Sequence, residues 1–167
     1  MNLRLPLLLS LAGLLLAGCG KNESSSSASS SSAAAASSGP REIDISAADN
    51  QKYSLTQIDA KPGEDLKVVL TNVGTVPKNA MAHNWVLLNT GDDATALAFD
   101  QAAASQQANG YIPANLESEI LAKIPMQGPK ESGEVEFKAP TQPGNYIFLC
   151  TFPAHYQVGM HGVLTVK

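Results

Sequence analysis

Cysteine is nearly missing from this chain: two in 167 residues, at positions 19 and 150. The first closes an apolar N-terminal segment, so the rest of the chain holds a single thiol and no disulfide framework can staple it. Histidine is almost as scarce, with His83, His155 and His161 only. Charged residues make up 16 %, and Lys and Arg number 11 against 15 Asp and Glu, for a net charge of −4. There is no basic stripe to neutralise phosphates, which excludes nucleic acid as a partner. No acidic run marks a solvating tail.

What is present begins with "MNLRLPLLLSLAGLLLAGC". Arg4 supplies a positive start, and Leu5 to Leu16 form an apolar stretch too short for a comfortable membrane span. The ending "LAGC", Leu16 to Cys19, resembles a bacterial lipoprotein box. That resemblance makes residues 1–18 a signal peptide and Cys19 the lipidated first residue of the mature chain. It implies an exported, membrane-anchored protein, and Gly20 after the cysteine resembles an outer-membrane address. Residues 19–40 continue as a Ser/Ala tract that cannot bury enough apolar surface to order itself. A coil of that composition reaches about 25 Å, from roughly 5–6 Å × √n.

The remainder, 41–167, is expected to be one domain. Its texture is short β-branched runs between turns: "EIDIS" (42–46), "KYSLTQI" (52–58), "LKVVLTN" (66–72), "HNWVLLN" (83–89), "GEVEFKA" (133–139), "NYIFLCT" (145–151) and "GVLTV" (162–166). Such spacing predicts an all-β two-sheet sandwich. One segment differs. Residues 92–110 are rich in Ala and Gln, which predicts an inserted helix with Asp93 as N-cap, Gly110 as stop, and Leu97 and Phe99 packed on the sandwich. Residues 118–126 then read as an extended return. The carboxylates, among them Asp92, Asp93, Glu134 and Glu136, read as a solvated face.

The lone thiol carries the chemistry. An unpaired cysteine in an oxidising compartment is either buried and inert, a nucleophile, or a metal ligand. "CTFPAHYQVGM" places His155 and Met160 within ten residues of Cys150, on one loop between two strands. His83 opens another strand. A thiolate, two imidazoles and a thioether suit a soft, redox-active metal, and together they form the donor set of a blue-copper electron-transfer site. The other readings fail on counting. No orienting group or oxyanion hole accompanies a Cys–His nucleophile. Structural zinc wants more cysteines. A binuclear copper centre needs a second cysteine, and multicopper or nitrite-reducing centres need more than three histidines.

Over 41–167 the chain resembles the cupredoxins, of the azurin type. "VPKNAMAHNWVLL" (76–88) is similar to their first ligand loop, and "YIFLCTFPAHYQVGMHGVLTVK" (146–167) to their copper loop and last strand. The resemblance implies a Greek-key sandwich with a helical flap inserted over 91–130. It implies one type 1 copper held by His83, Cys150 and His155, with Met160 as the long axial donor. Asn84 and Phe152 would supply backbone N–H groups to the sulfur, and Phe152 and Pro153 would shape the loop. Val76, Ala80, Met81, Ala82, Phe152, Ala154 and Val158 would form the apolar patch where partners dock, with His155 as the electron exit. The implied protein is not an enzyme. It is a monomeric, lipid-anchored carrier that passes single electrons between periplasmic or membrane redox proteins. A copper-binding or surface interaction module that reuses the fold without carrying electrons is the alternative. Trp85 reads as core and His161 as a loop or surface histidine. Two features depart from the azurin pattern. Four residues, "YQVG", separate His155 from Met160, one more than in azurin and similar to auracyanin. Ala82 stands where azurin has a glycine.

Overall fold

A computed structural model describes residues 39–167. Cys19, the candidate signal peptide and the tether up to residue 38 lie outside the described residues. Eight strands form two sheets. They are β1 (Arg41–Ala47), β2 (Gln57–Ala60), β3 (Asp65–Asn72), β4 (His83–Leu88), β5 (Ile120–Gln127), β6 (Ser132–Lys138), β7 (Gly144–Leu149) and β8 (His161–Val166). One sheet has the order β1-β3-β6, the other β2-β8-β7-β4-β5. Pairs β1/β3 and β2/β8 are parallel, and the rest are antiparallel. The parallel pairs arise because the chain visits the opposite sheet between their two strands.

Strict alternation in β3 turns Leu66, Val68 and Leu70 inward, where they meet Ile43 and Ile45 of β1. Period two is what a sheet with one dry face demands. β6 alternates as expected, with Val135 and Phe137 half-buried against the same core. β4 is buried at every position. Its Trp85 and Leu87 face the sandwich interior, Trp85 lying between the rings of Phe137 and Phe148, while Val86 and Leu88 face outward into a second apolar cluster. Trp85 is therefore core.

The second cluster explains the helix. Helix α1 (Asp93–Ala103) covers the outer face of the larger sheet, where Ala96 and Phe99 meet Val86, Leu88, Ile147 and Leu149. The buried positions 96, 99, 100 and 103 follow the helical period. Leu97 falls one position off that stripe and is 37 % exposed, contrary to the expectation that it packs inward. The N-cap is Asp92, not Asp93: its carboxylate accepts from the Thr95 N–H at 2.8 Å and the Thr95 hydroxyl at 2.7 Å. Asp93 sits in the first turn, favourably placed near the helix dipole. The helix ends at Ala103, and Gly110, at φ 62°, instead closes a short 3₁₀ turn over Gln107–Asn109.

Two further boundaries differ from the sequence expectation. Only Gln57 and Ile58 of the 52–58 run are strand, in a β2 that continues to Ala60, because Tyr53 makes a single bridge to Ala47 and then buries its ring as the chain crosses between sheets. The extended return begins as a 3₁₀ turn (Ala114–Glu119) and becomes β5, a full strand of the larger sheet. β5 is an edge strand, which is where Pro125 is tolerated.

Candidate metal centre

Three segments meet at one end of the sandwich and bring four candidate residues with them. His83 is the first residue of β4, Cys150 follows the last residue of β7, and His155 and Met160 lie in the loop that leads to β8. All four are buried. Donor atoms of His83, Cys150 and His155 lie within 4.8 Å of one another. The Cys150 sulfur stands 3.4 Å from Nδ1 of His155, and the two imidazole rings are 5.0 Å apart between centroids.

The loop is closed by its own backbone. The Cys150 N–H donates to the Met160 carbonyl at 3.1 Å, and the Met160 N–H donates to the His155 carbonyl at 2.9 Å. Left-handed backbone at Ala154 (φ 71°) and Gly159 (φ 89°) makes the tight reversals possible. Asn84 ties the loop to β4: its Nδ2 donates to the Thr151 hydroxyl at 2.7 Å and its Oδ1 accepts from the Thr151 N–H at 2.8 Å. The Tyr53 hydroxyl donates to the Asn84 carbonyl. From the far side, Lys52 Nζ donates to the Val158 carbonyl. These contacts fix the loop that carries Cys150, His155 and Met160 against β4.

Electrostatics at the site favour neutral side chains. Burial pushes the Cys150 thiol up to about 12, although backbone N–H groups of Asn84 and Phe152 at the sulfur pull the other way. Burial, then the neighbouring His83, push His155 down to about 4. Burial also lowers His83, opposed by the negative charge of Asp49. Neither ring nitrogen of His83 has a hydrogen-bond partner in the protein. A buried imidazole with both nitrogens orphaned is costly unless something coordinates it. Two neutral imidazoles and a thiol converging within 4.8 Å, with buried Met160 on the same loop, fit a soft metal.

Residues 40–167 match the profile of the copper-binding proteins of the plastocyanin/azurin family. The chain belongs to that family. Auracyanin-B of Chloroflexus aurantiacus is 45 % identical over 84 residues, which is 50 % of this chain and 35 % of that protein. The chain thus spans about a third of auracyanin-B. Auracyanin-A of the same organism is 31 % identical over 131 residues, 78 % of this chain and 76 % of that protein. Among solved structures, dithionite-reduced auracyanin from Roseiflexus castenholzii superposes with a TM-score of 0.66 at 33 % identity, covering 77 % of this chain and 98 % of that one. The His83–Cys150–His155 cluster is compatible with a single type 1 copper site in this family member.

The expected docking residues divide. Ala80, Ala154 and Val158 are exposed, Val158 by 47 %, and Val76, Met81 and Phe152 are half-buried, as is the loop-shaping Pro153. Ala82 is not on the surface: its side chain is buried and its carbonyl lies 4.0 Å from the Cys150 sulfur. Its place just before the first residue of a fully buried strand turns it inward. His155 is itself 2 % exposed, and its ring is covered by Phe152 at 4.8 Å between centroids. Phe152 in turn meets Tyr111 at 5.3 Å. His161 stands outside the cluster, half-buried, with its ring on Tyr156 at 4.8 Å. Asp100 and Gln157 were not singled out by the sequence. Asp100 is buried on α1, and its carboxylate accepts a hydrogen bond from the Gln157 amide. The stripe Ala96-Phe99-Asp100-Ala103 was the available signal, since it puts a carboxylate on an apolar helix face.

Proposed function

We propose that this protein is a lipid-anchored carrier of single electrons and not an enzyme. The observation that carries the reading is the buried convergence of His83, Cys150 and His155 within 4.8 Å, with His83 unpartnered. These three residues would hold one copper ion, with Met160 as a fourth, weaker donor. When bound, copper supplies a one-electron Cu(II)/Cu(I) couple. The chain's part is to keep the donors in place in both oxidation states, through the Asn84–Thr151 pair and the Cys150–Met160 and Met160–His155 backbone bonds. Phe152, half-buried with its ring against His155, offers a covered route from the cluster toward the surface. Exposed Ala80, Ala154 and Val158 suit the weak, small-area encounters of redox partners. Those partners are periplasmic or membrane redox proteins, met by a monomeric head on the 19–40 tether. Cys19 would carry the lipid, in the outer membrane.

The test is to add Cu(II) to the purified protein. An intense blue thiolate charge-transfer band, bleached by a mild reductant and restored by an oxidant, is expected. Copper that binds without that band, or a band that cannot be cycled, favours the alternative of a copper-binding or interaction module. Cys150→Ser should abolish the colour, and Met160→Gln should keep copper and shift the potential. Labelling with an alkyne fatty acid in a bacterial host should mark the wild type and not Cys19→Ser.

A further inference from the structure

Asp100 is the one buried carboxylate among the described residues. Its Oδ2 accepts from Nε2 of Gln157, and its Oδ1 has no partner in the protein. Burial raises it to about 6, opposed only by the Gln157 bond. An unpaired carboxylate at such a place costs stability, so its location asks for a role. Gln157 sits between His155 and Met160, and its side chain is otherwise on the exposed rim of the loop. The same helix grips the preceding residue. Tyr156 packs with Ala96 and Phe99, and its hydroxyl donates to the Asp93 carbonyl at 3.4 Å. Helix α1 therefore holds both ends of the Tyr156–Gln157 step, halfway between two ligand residues.

We propose that Asp100 is a positioning residue of the metal centre: through Gln157 it locks the turn between His155 and Met160 onto α1 and sets where those two side chains stand. The inference rests on reading His155 and Met160 as ligands. Four residues separate them, and the intraloop bonds Val158 N–H to Ala154 carbonyl and Gly159 N–H to Tyr156 carbonyl leave the Gln157 side chain free to serve as the outer tie.

The experiment compares the full-length wild type with Asp100→Ala, Gln157→Ala, the double variant and Asp100→Asn, with and without copper. In the copper-free protein, amide exchange over residues 155–160 should quicken by about tenfold in both alanine variants, as for the loss of one hydrogen bond. β1 and β3 should exchange as in the wild type. In the Cu(II) form, both alanine variants should change the copper hyperfine splitting and the potential in the same direction, and the double variant should add little to either. Asp100→Asn keeps an acceptor for the Gln157 amide, so loop exchange and hyperfine splitting should stay near the wild type. Wild-type exchange and hyperfine splitting in both alanine variants would overturn the proposal. So would strictly additive effects, or an Asn variant as loose as the Ala variant. Should Asp100→Ala not fold, Gln157→Ala, altered on an exposed side chain, decides alone. A wild type that lacks the copper spectrum sinks the electron-carrier reading, whereas the copper-free exchange still judges the tie.

Discussion

Replacing Asp100 by Asn in the copper-free protein should make stability depend on pH in a way that the difference between two curves isolates. The carboxyl stands at about 6 in the fold against an ordinary 3.8, because burial disfavours its charge. With a raised value, the folded state binds the proton that the unfolded chain has released, so stability from this group is full below 3.8 and is lost as pH rises through 6. At about 1.4 kcal/mol for each pH unit, the span from 3.8 to about 6 is worth about 3 kcal/mol. Asp100 is only 2 % exposed, so solvent screening takes little from this. Asn carries no charge at any pH. Relative to the wild type, Asp100→Asn should therefore gain about 2 kcal/mol between pH 4 and pH 8, the rest of the span lying below pH 4. The Asn amide nitrogen, standing where Oδ1 has no partner, is left unpaired, but that penalty is the same at every pH and cancels in the slope. Other titrating groups, His155 among them, are present in both proteins and cancel as well. Urea unfolding at pH 4, 5, 6, 7 and 8 measures the difference. Parallel curves would refute the reasoning, since they would mean the carboxylate is solvated in the fold.

Copper binding should displace the Cys150 proton, because burial holds the thiol at about 12. Affinity measured by chelator competition should then rise about tenfold per pH unit between pH 5 and 7, and more steeply below about 4, where His155 also takes a proton. Asn84→Ala removes both bonds to buried Thr151 and should cost about 2–4 kcal/mol in chemical denaturation. Gly162→Ala would set a methyl 2.3 Å from Phe148 Cζ and 2.4 Å from the Thr56 carbonyl oxygen. That overpacking should lower stability by about 1–3 kcal/mol or more, seen as a drop in Tm. Saturating copper should raise Tm in a concentration-dependent manner, since the metal binds the folded chain at a site the unfolded chain lacks.

Local pattern made the strands legible. The alternation in 66–72 and 133–139 and the unbroken apolar run at 83–88 are properties of neighbouring residues, so no distant contact was needed to read them. Three donors were legible for a related reason: Cys150, His155 and Met160 lie within one loop, and scarcity of cysteine and histidine left few other assignments. Bringing His83 to them took a fold, because the first residue of β4 meets the end of β7 only once the larger sheet has formed. The same holds for the outer face of that sheet. Whether Leu97 or Ala96 packs, whether Ala82 looks outward or toward the sulfur, and whether Asp100 is solvated are questions about what lies opposite each side chain. The sequence by itself determined which chemistry the chain can perform and roughly where its strands run, since donor type and short-range periodicity are written in adjacent residues. Only the tertiary structure decided which groups lose water, and so which carboxylate keeps its proton to a higher pH and which imidazole is left without a partner, because desolvation is set by everything that packs around a group from elsewhere in the chain.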